Sequence, residues 1–199
     1  DLVSADLQRL DLRQVLLERP VDLTEAKLDK ALLDGLELGA SRLSGASLVA
    51  VSARCANFKG ADLSGADMRK AALQGADLRD ANLSRAKLTG AKLQNAKLQG
   101  AILTGVRLSG NLVGTDFSGM DLRRADLSGA NLKDASFRQA RLDRANLSAA
   151  NLYGADFTGA QLKGVNFYRA NLRKAVFEQA DLTSANLNDA LGAEQLGTP

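Results

Sequence analysis

Large apolar residues recur every five positions along this 199-residue chain, an interval that suits neither a standard helix nor a flat strand. The segments Ala61-Asp62-Leu63-Ser64-Gly65, Ala66-Asp67-Met68-Arg69-Lys70 and Ala81-Asn82-Leu83-Ser84-Arg85 show the unit. We call its large apolar residue the centre. Centres fall at Leu2, Leu7, Leu12 and Leu17, then from Leu23 to Leu108, then from Leu112 to Leu187; 30 of the 38 are leucine. On an α-helix five residues advance about 500°, so successive leucines would scatter around the cylinder. On a flat strand an odd interval would send them to alternate faces. The chain must therefore turn within every unit. The residue two before the centre is Ala at 26 of 37 positions, as in Ala26, Ala61 and Ala145. Residues two apart on an extended segment share a side, so each unit buries one small and one large residue before turning. Repeated corners wind the chain into a solenoid.

The phenylalanines set the number of units per coil. Phe117, Phe137, Phe157 and Phe177 are 20 residues apart, which stacks them in one column if a coil has four five-residue sides. Phe58 joins that column once the residue missing between Leu108 and Leu112 is allowed for, and Phe167 stands outside it. The expected core column is thus Phe58, Phe117, Phe137, Phe157 and Phe177.

These A(D/N)LXX units resemble the pentapeptide-repeat family over essentially the whole chain. The resemblance implies an all-β fold: a right-handed quadrilateral parallel β-helix of about nine coils and four faces. At ~4.8 Å per coil, such a solenoid would be ~45 Å long.

The expected domain is a single solenoid over 1–190, with a short C-terminal cap or tail over 191–199. A one-residue insertion near Arg19-Pro20 and a one-residue deletion near 109–113 interrupt the period. For Asp11 to Arg19 two readings stand. Asp11 could cap a short helix stopped by Pro20, or the segment is a bulky first coil with Leu10 and Val15 in the small-residue slots. The preserved leucine period favours the coil. That coil would leave an uncovered apolar end, which calls for an upstream segment or a partner. At the other end, Leu191 and Leu196 are expected to lie over the last coil as a cap. An end-to-end dimer and a monomer both fit this plan.

Fifteen of 18 glycines sit two residues after a centre, where a tight turn often needs positive φ. Asp or Asn precedes many centres; Asn111, Asn131, Asn151 and Asn171 would form one stacked ladder. Ala53 is the one alanine centre, and Val51 before it restores the volume.

Little in the chain points to chemistry. It has no histidine and one cysteine, Cys55, at an outward turn position. That removes the common nucleophile pairs and the Cys/His zinc sites. No phosphate-binding glycine motif leads a helix, and the carboxylates sit on flat repeat faces rather than in a cleft that would part their pKa values. The expectation is therefore a non-enzyme without catalytic, cofactor or metal residues. No apolar run approaches the ~20 residues of a membrane span. The compartment stays open, with the cytoplasm favoured over export.

Charge is balanced, with 26 basic and 23 acidic residues and a net +3. That argues against nucleic acid, whose binders cluster basic charge. Sorted by side, the third face carries six basic and three acidic residues, and also Leu32, Val113 and Tyr153 beside Lys133, Arg173 and Lys174. Tyr and Arg favour interfaces, so these six residues are the candidate interaction face. The leading function is a non-enzymatic scaffold for protein–protein interaction, as one region of a larger bacterial protein. The resemblance carries a second function. Some members of that family copy duplex DNA, bind DNA gyrase and confer quinolone or toxin resistance. Such mimicry needs a strongly acidic surface, which this chain lacks.

Overall fold

The computed structural model describes residues 2–17 and 20–196, and the side chains up to residue 194. The chain divides into two compact units, Asp1–Val106 and Arg107–Pro199. Both are built from single-residue parallel β-bridges. In the first unit, bridges run from Asp22↔Arg42 to Asn82↔Ile102, always 20 residues apart. In the second they run from Asn111↔Asn131 to Asn171↔Leu191 at the same interval. Each 20-residue turn carries four bridges.

Irregular bridges locate the breaks in the period. Asp6↔Lys27 and Asp11↔Leu32 are 21 apart, so the extra residue lies between Asp11 and Asp22. Of the expected insertion site, Arg19 lies outside the described residues. Arg107↔Asp126 is 19 apart and Asn111↔Asn131 is 20, which puts the missing residue between Arg107 and Asn111.

The five-residue motif follows from backbone hydrogen bonding. Each non-proline residue brings one donor that must be satisfied when buried. In the unit around Leu63, Asp62 N–H donates to Ser41 C=O at 2.9 Å, Leu63 N–H to Asn82 C=O at 2.8 Å, and Gly65 N–H to Ser84 C=O at 2.8 Å. Ala66 N–H closes the turn on Leu63 C=O at 3.1 Å. Only Ser64 N–H remains, and the Asp62 carboxylate accepts it at 3.0 Å. This local side-chain acceptor explains why Asp or Asn precedes so many centres. Ser47 and Ser52 break that rule, and the coil below compensates. Asp29 accepts Val49 N–H at 2.9 Å, and Asp34 accepts Arg54 N–H at 2.7 Å. Their carboxylates also take the two serine hydroxyls.

The third residue of nearly every turn is left-handed, as a type II turn requires. Arg124 (φ 59°), Asp134 (φ 55°) and Cys55 (φ 54°) accept this conformation as glycine does elsewhere, so the slot favours glycine without demanding it. Cys55 is exposed there.

Centres and their preceding alanines fill the core; Ala61, Leu63, Ala66 and Met68 are fully buried. Val51 and Ala53 are buried together, large before small. In the second unit, Phe117, Phe137, Phe157 and Phe177 stack with centroids 5.2, 4.9 and 4.9 Å apart and interplanar angles of 10°, 4° and 11°. Phe167 meets Phe157 edge-on at 5.7 Å. Phe58 belongs to the first unit and is fully buried there.

The start of the first unit is open. Asp11 bridges Leu32, and Val15 N–H closes a turn on Leu12 C=O at 3.0 Å, so residues 11–15 form a coil segment and not a helix. Among the described residues no further coil covers it: Leu2, Leu10 and Val15 are 38, 46 and 42 % exposed. Below them lies an apolar cavity of about 70 Å³ among Leu7, Leu12, Leu17, Leu23, Leu28 and Leu38.

The C-terminal end corrects one expectation. Leu191 does not lie over the last coil. Ala190 N–H closes the turn on Leu187 at 3.1 Å, which sends the next residue outward; Leu191 bridges Asn171 and is 47 % exposed. Gly192 takes the centre position instead, at φ 85°, where an added Cβ would sit 2.8 Å from the Arg173 backbone nitrogen. A 3₁₀ turn, Ala193–Leu196, follows. The Leu196 side chain lies outside the described residues.

Surface Asp–Arg pairs lie two residues apart along the turns. Hydrogen bonds from Arg79 hold the Asp77 carboxyl at about 2, against partial burial, where an unperturbed Asp has 3.8. Hydrogen bonds from Arg13 likewise hold Asp11 at about 2. A depressed carboxylate pKa adds stability that is complete above the unfolded pKa and is lost as pH falls through the folded one. The urea midpoint is therefore expected to drop between about pH 4 and about pH 2, less steeply in Asp77→Asn. An equal slope in that variant would contradict the assignment. Phe157 is fully buried between two stacked rings. Phe157→Ala is expected to cost about 3–5 kcal/mol in chemical denaturation; a loss under about 1 kcal/mol would show that the stack carries little of the core.

Candidate interaction surface

The outward residues of the second unit are placed by its bridges. Asn111, Asn131, Asn151 and Asn171 occupy successive bridge positions, and their amides bond at 3.4, 2.9 and 3.1 Å. Two of these Oδ1 atoms also accept a turn N–H: Asn151 takes Tyr153 N–H and Asn171 takes Arg173 N–H, both at 3.4 Å. The ladder therefore holds the turns beside it in register.

Those turns carry most of the candidate face. Gly114 N–H donates to Lys133 C=O, Asp134 N–H to Tyr153 C=O and Gly154 N–H to Arg173 C=O, which stacks the turns bearing Val113, Lys133, Tyr153 and Arg173 coil upon coil. Val113 is 47 % exposed and Tyr153 is half-buried. Lys133 Nζ lies 5.9 Å from the Tyr153 ring centre, from the coil before. Lys174 Nζ lies 5.3 Å from it, from the coil after. The neighbouring Tyr153 favours the ammonium and raises the Lys174 pKa. The Asp134 carboxylate lies 3.8 Å from Lys133. Leu32 belongs to the first unit, half-buried between Asp11 and Ser52, and so is described apart from the other five.

Several arginines elsewhere are paired within the chain. Arg123 makes two short bonds to Asp121 at 2.8 and 2.6 Å, which lower the Asp121 pKa. Arg138 pairs with Asp156 at 2.6 Å and Arg69 with Asp67 at 2.7 Å. Tyr168 has its own cation, Arg169 at 4.8 Å, but Asp189 lies 3.6 Å from that guanidinium.

Sorting charge by side conceals one feature. No acidic residue occurs between Asp80 and Asp116, a run that holds Arg85, Lys87, Lys92, Lys97 and Arg107. Counting charge along the chain would have found it. In the first unit, Lys87, Lys92 and Lys97 bridge Asp67, Ala72 and Asp77 in turn, so they spread around a coil and make no single patch. The Tyr153 contacts with two lysines were also beyond pattern reading, because they depend on how three side chains lie.

Among the described residues no cluster of His, Cys, Asp and Glu could hold a metal ion, and the one buried side-chain polar atom without a hydrogen-bond partner is Gln74 Oε1. No described helix is long and apolar enough to cross a membrane.

Comparisons with known proteins agree on one motif. The pentapeptide-repeat profile matches eight copies between residues 31 and 190, continuously but for 106–108. HetL, a pentapeptide repeat protein involved in heterocyst differentiation regulation in the cyanobacterium Nostoc, is 31 % identical; the alignment covers 94 % of this chain and 85 % of HetL, with a TM-score of 0.48. QnrB1, a plasmid-mediated fluoroquinolone resistance protein, is 20 % identical over 85 % of this chain and 82 % of its own, with a TM-score of 0.41. A pentapeptide repeat protein of the Arabidopsis thaliana thylakoid lumen is 27 % identical over 70 % of this chain and 67 % of its own, at a TM-score of 0.15. A comparison with curated protein sequences finds no match. The repeat profile spans most of the chain, and with it the five-residue period, the small-and-large core pair and the Asp or Asn before the centre all describe one motif: the chain belongs to the pentapeptide-repeat family.

Proposed function

We propose that this chain is a non-enzymatic scaffold for protein–protein interaction. Each unit is read as a right-handed coil with four flat faces, and one of those faces meets the partner. The observation that carries this reading is the asparagine ladder of the second unit with its flanking Val113, Lys133, Tyr153, Arg173 and Lys174. The ladder ties side chains and turns into one network. A surface held in place before binding loses less entropy on association. Tyr and Arg, the residues that interfaces enrich, sit together on it. Leu32 offers a separate contact on the first unit.

DNA mimicry is the competing reading, and charge separates the two. A mimic of duplex DNA needs a surface with a large acidic excess, and this chain has a net charge of +3.

A photo-crosslinking residue at position 153, in the full chain and in the cell that carries it, tests the scaffold. We expect a discrete crosslinked protein from Tyr153 and none from position 42, a control on the first unit. The same products from both positions, or none from either, would contradict the reading. In a gyrase supercoiling assay with a quinolone, we expect no protection by the purified chain. Protection at micromolar protein would favour the mimic instead.

A further inference from the structure

Two lysines meet at one tyrosine, and a third cation lies on the same turn as one of them. Lys133 and Lys174 approach the Tyr153 ring from the coils before and after, at 5.9 and 5.3 Å. Arg173 is exposed on the same turn as Lys174. The ring face attracts each ammonium through its quadrupole, and this holds two long flexible side chains that would otherwise be free. Against these three charges stands Asp134, 3.8 Å from Lys133. The guanidiniums of Arg69, Arg79, Arg123 and Arg138 are by contrast each bonded to a carboxylate within 2.8 Å. Beside the cations runs the asparagine ladder. Each amide nitrogen in it has two N–H groups, and the bond to the neighbouring amide uses one of them. The surface is thus a row of donors with an excess of positive charge.

We propose that Lys133, Tyr153, Arg173 and Lys174 form a carboxylate-binding subsite that recognises an acidic segment of a partner protein. This rests on the scaffold reading and names the chemistry of its partner. Carboxylates fit here because planar acceptors match ammonium, guanidinium and amide donors. Nucleic acid fits poorly. Single strands are held by bases stacked on aromatic faces, and both approaches to the Tyr153 ring are taken by lysines. Duplex binders carry a clustered basic excess, whereas this chain is nearly balanced.

Fluorescein-labelled decaglutamate, titrated with the full chain at low salt and read by anisotropy, tests the subsite. We expect saturable binding that weakens as salt rises. Lys133→Gln with Lys174→Gln should weaken it by about tenfold or more, while Lys27→Gln with Lys30→Gln, on the first unit, should leave it within about twofold. Tyr153→Phe keeps the ring and should stay within about threefold; Tyr153→Ala should fall toward the double lysine variant. No binding, or equal losses in both double variants, would overturn the proposal. So would tighter binding of an oligodeoxythymidylate of equal charge. Failure of this inference is distinguishable from failure of the scaffold. A protein crosslinked at position 153 that decaglutamate does not displace keeps the scaffold and overturns the acidic segment. Decaglutamate binding with no crosslinked partner does the reverse.

Discussion

A backbone N–H in this chain is satisfied by the coil before, the coil after, its own turn or a neighbouring side chain, and the structure depends on closing that account every five residues. Three of the five donors in a unit bond between coils, one closes the turn and one falls to the side chain before the centre. An unsatisfied buried donor costs about 1–3 kcal/mol, so the bonds between coils and across the turns are the ones a unit cannot lose; the fifth donor has no carboxylate or amide before it in the units of Lys87, Lys92, Lys97 and Ile102. The motif meets this condition: a small residue where the chain packs closely, an Asp or Asn to accept the turn, a large apolar centre, and a turn residue that tolerates positive φ.

The same condition shapes the surface. Because the Asp and Asn side chains serve the backbone, most carboxylates and amides on the outside are already engaged. Many arginines then bond to those carboxylates two residues away. Such exposed pairs contribute little stability individually; their main effect is to cancel local charge. The Tyr153 group differs in that two lysines lie beside an aromatic ring.

Much of the architecture was legible in the leucines. Their interval of five requires a corner per unit, and the phenylalanines 20 apart require four units per coil; the stacked rings of Phe117, Phe137, Phe157 and Phe177 lie accordingly. What escaped reading involves residues that are neighbours across coils without sharing a motif slot. Asp29 serves Val49 and Asp34 serves Arg54 because Ser47 and Ser52 lack a carboxylate, a substitution visible only once the coils are stacked. Leu191 looked like a cap because it is apolar and five before Leu196. The turn closed by Ala190 decides otherwise and sends it outward. At the candidate surface, the sequence brought Lys133, Tyr153, Arg173 and Lys174 into neighbouring positions. Only side-chain geometry put two ammonium groups against one ring.

The pairing of each coil with the next is the central claim, and scalar couplings across backbone hydrogen bonds measure it directly by NMR. In the second unit, the amide nitrogen of Leu152 should couple to the carbonyl carbon of Asn171, and that of Phe137 to Asp156. Those cross-peaks, repeated unit after unit at the same separation, are the predicted result. Couplings from these amides to carbonyls four residues earlier, as a helix would give, would contradict the account.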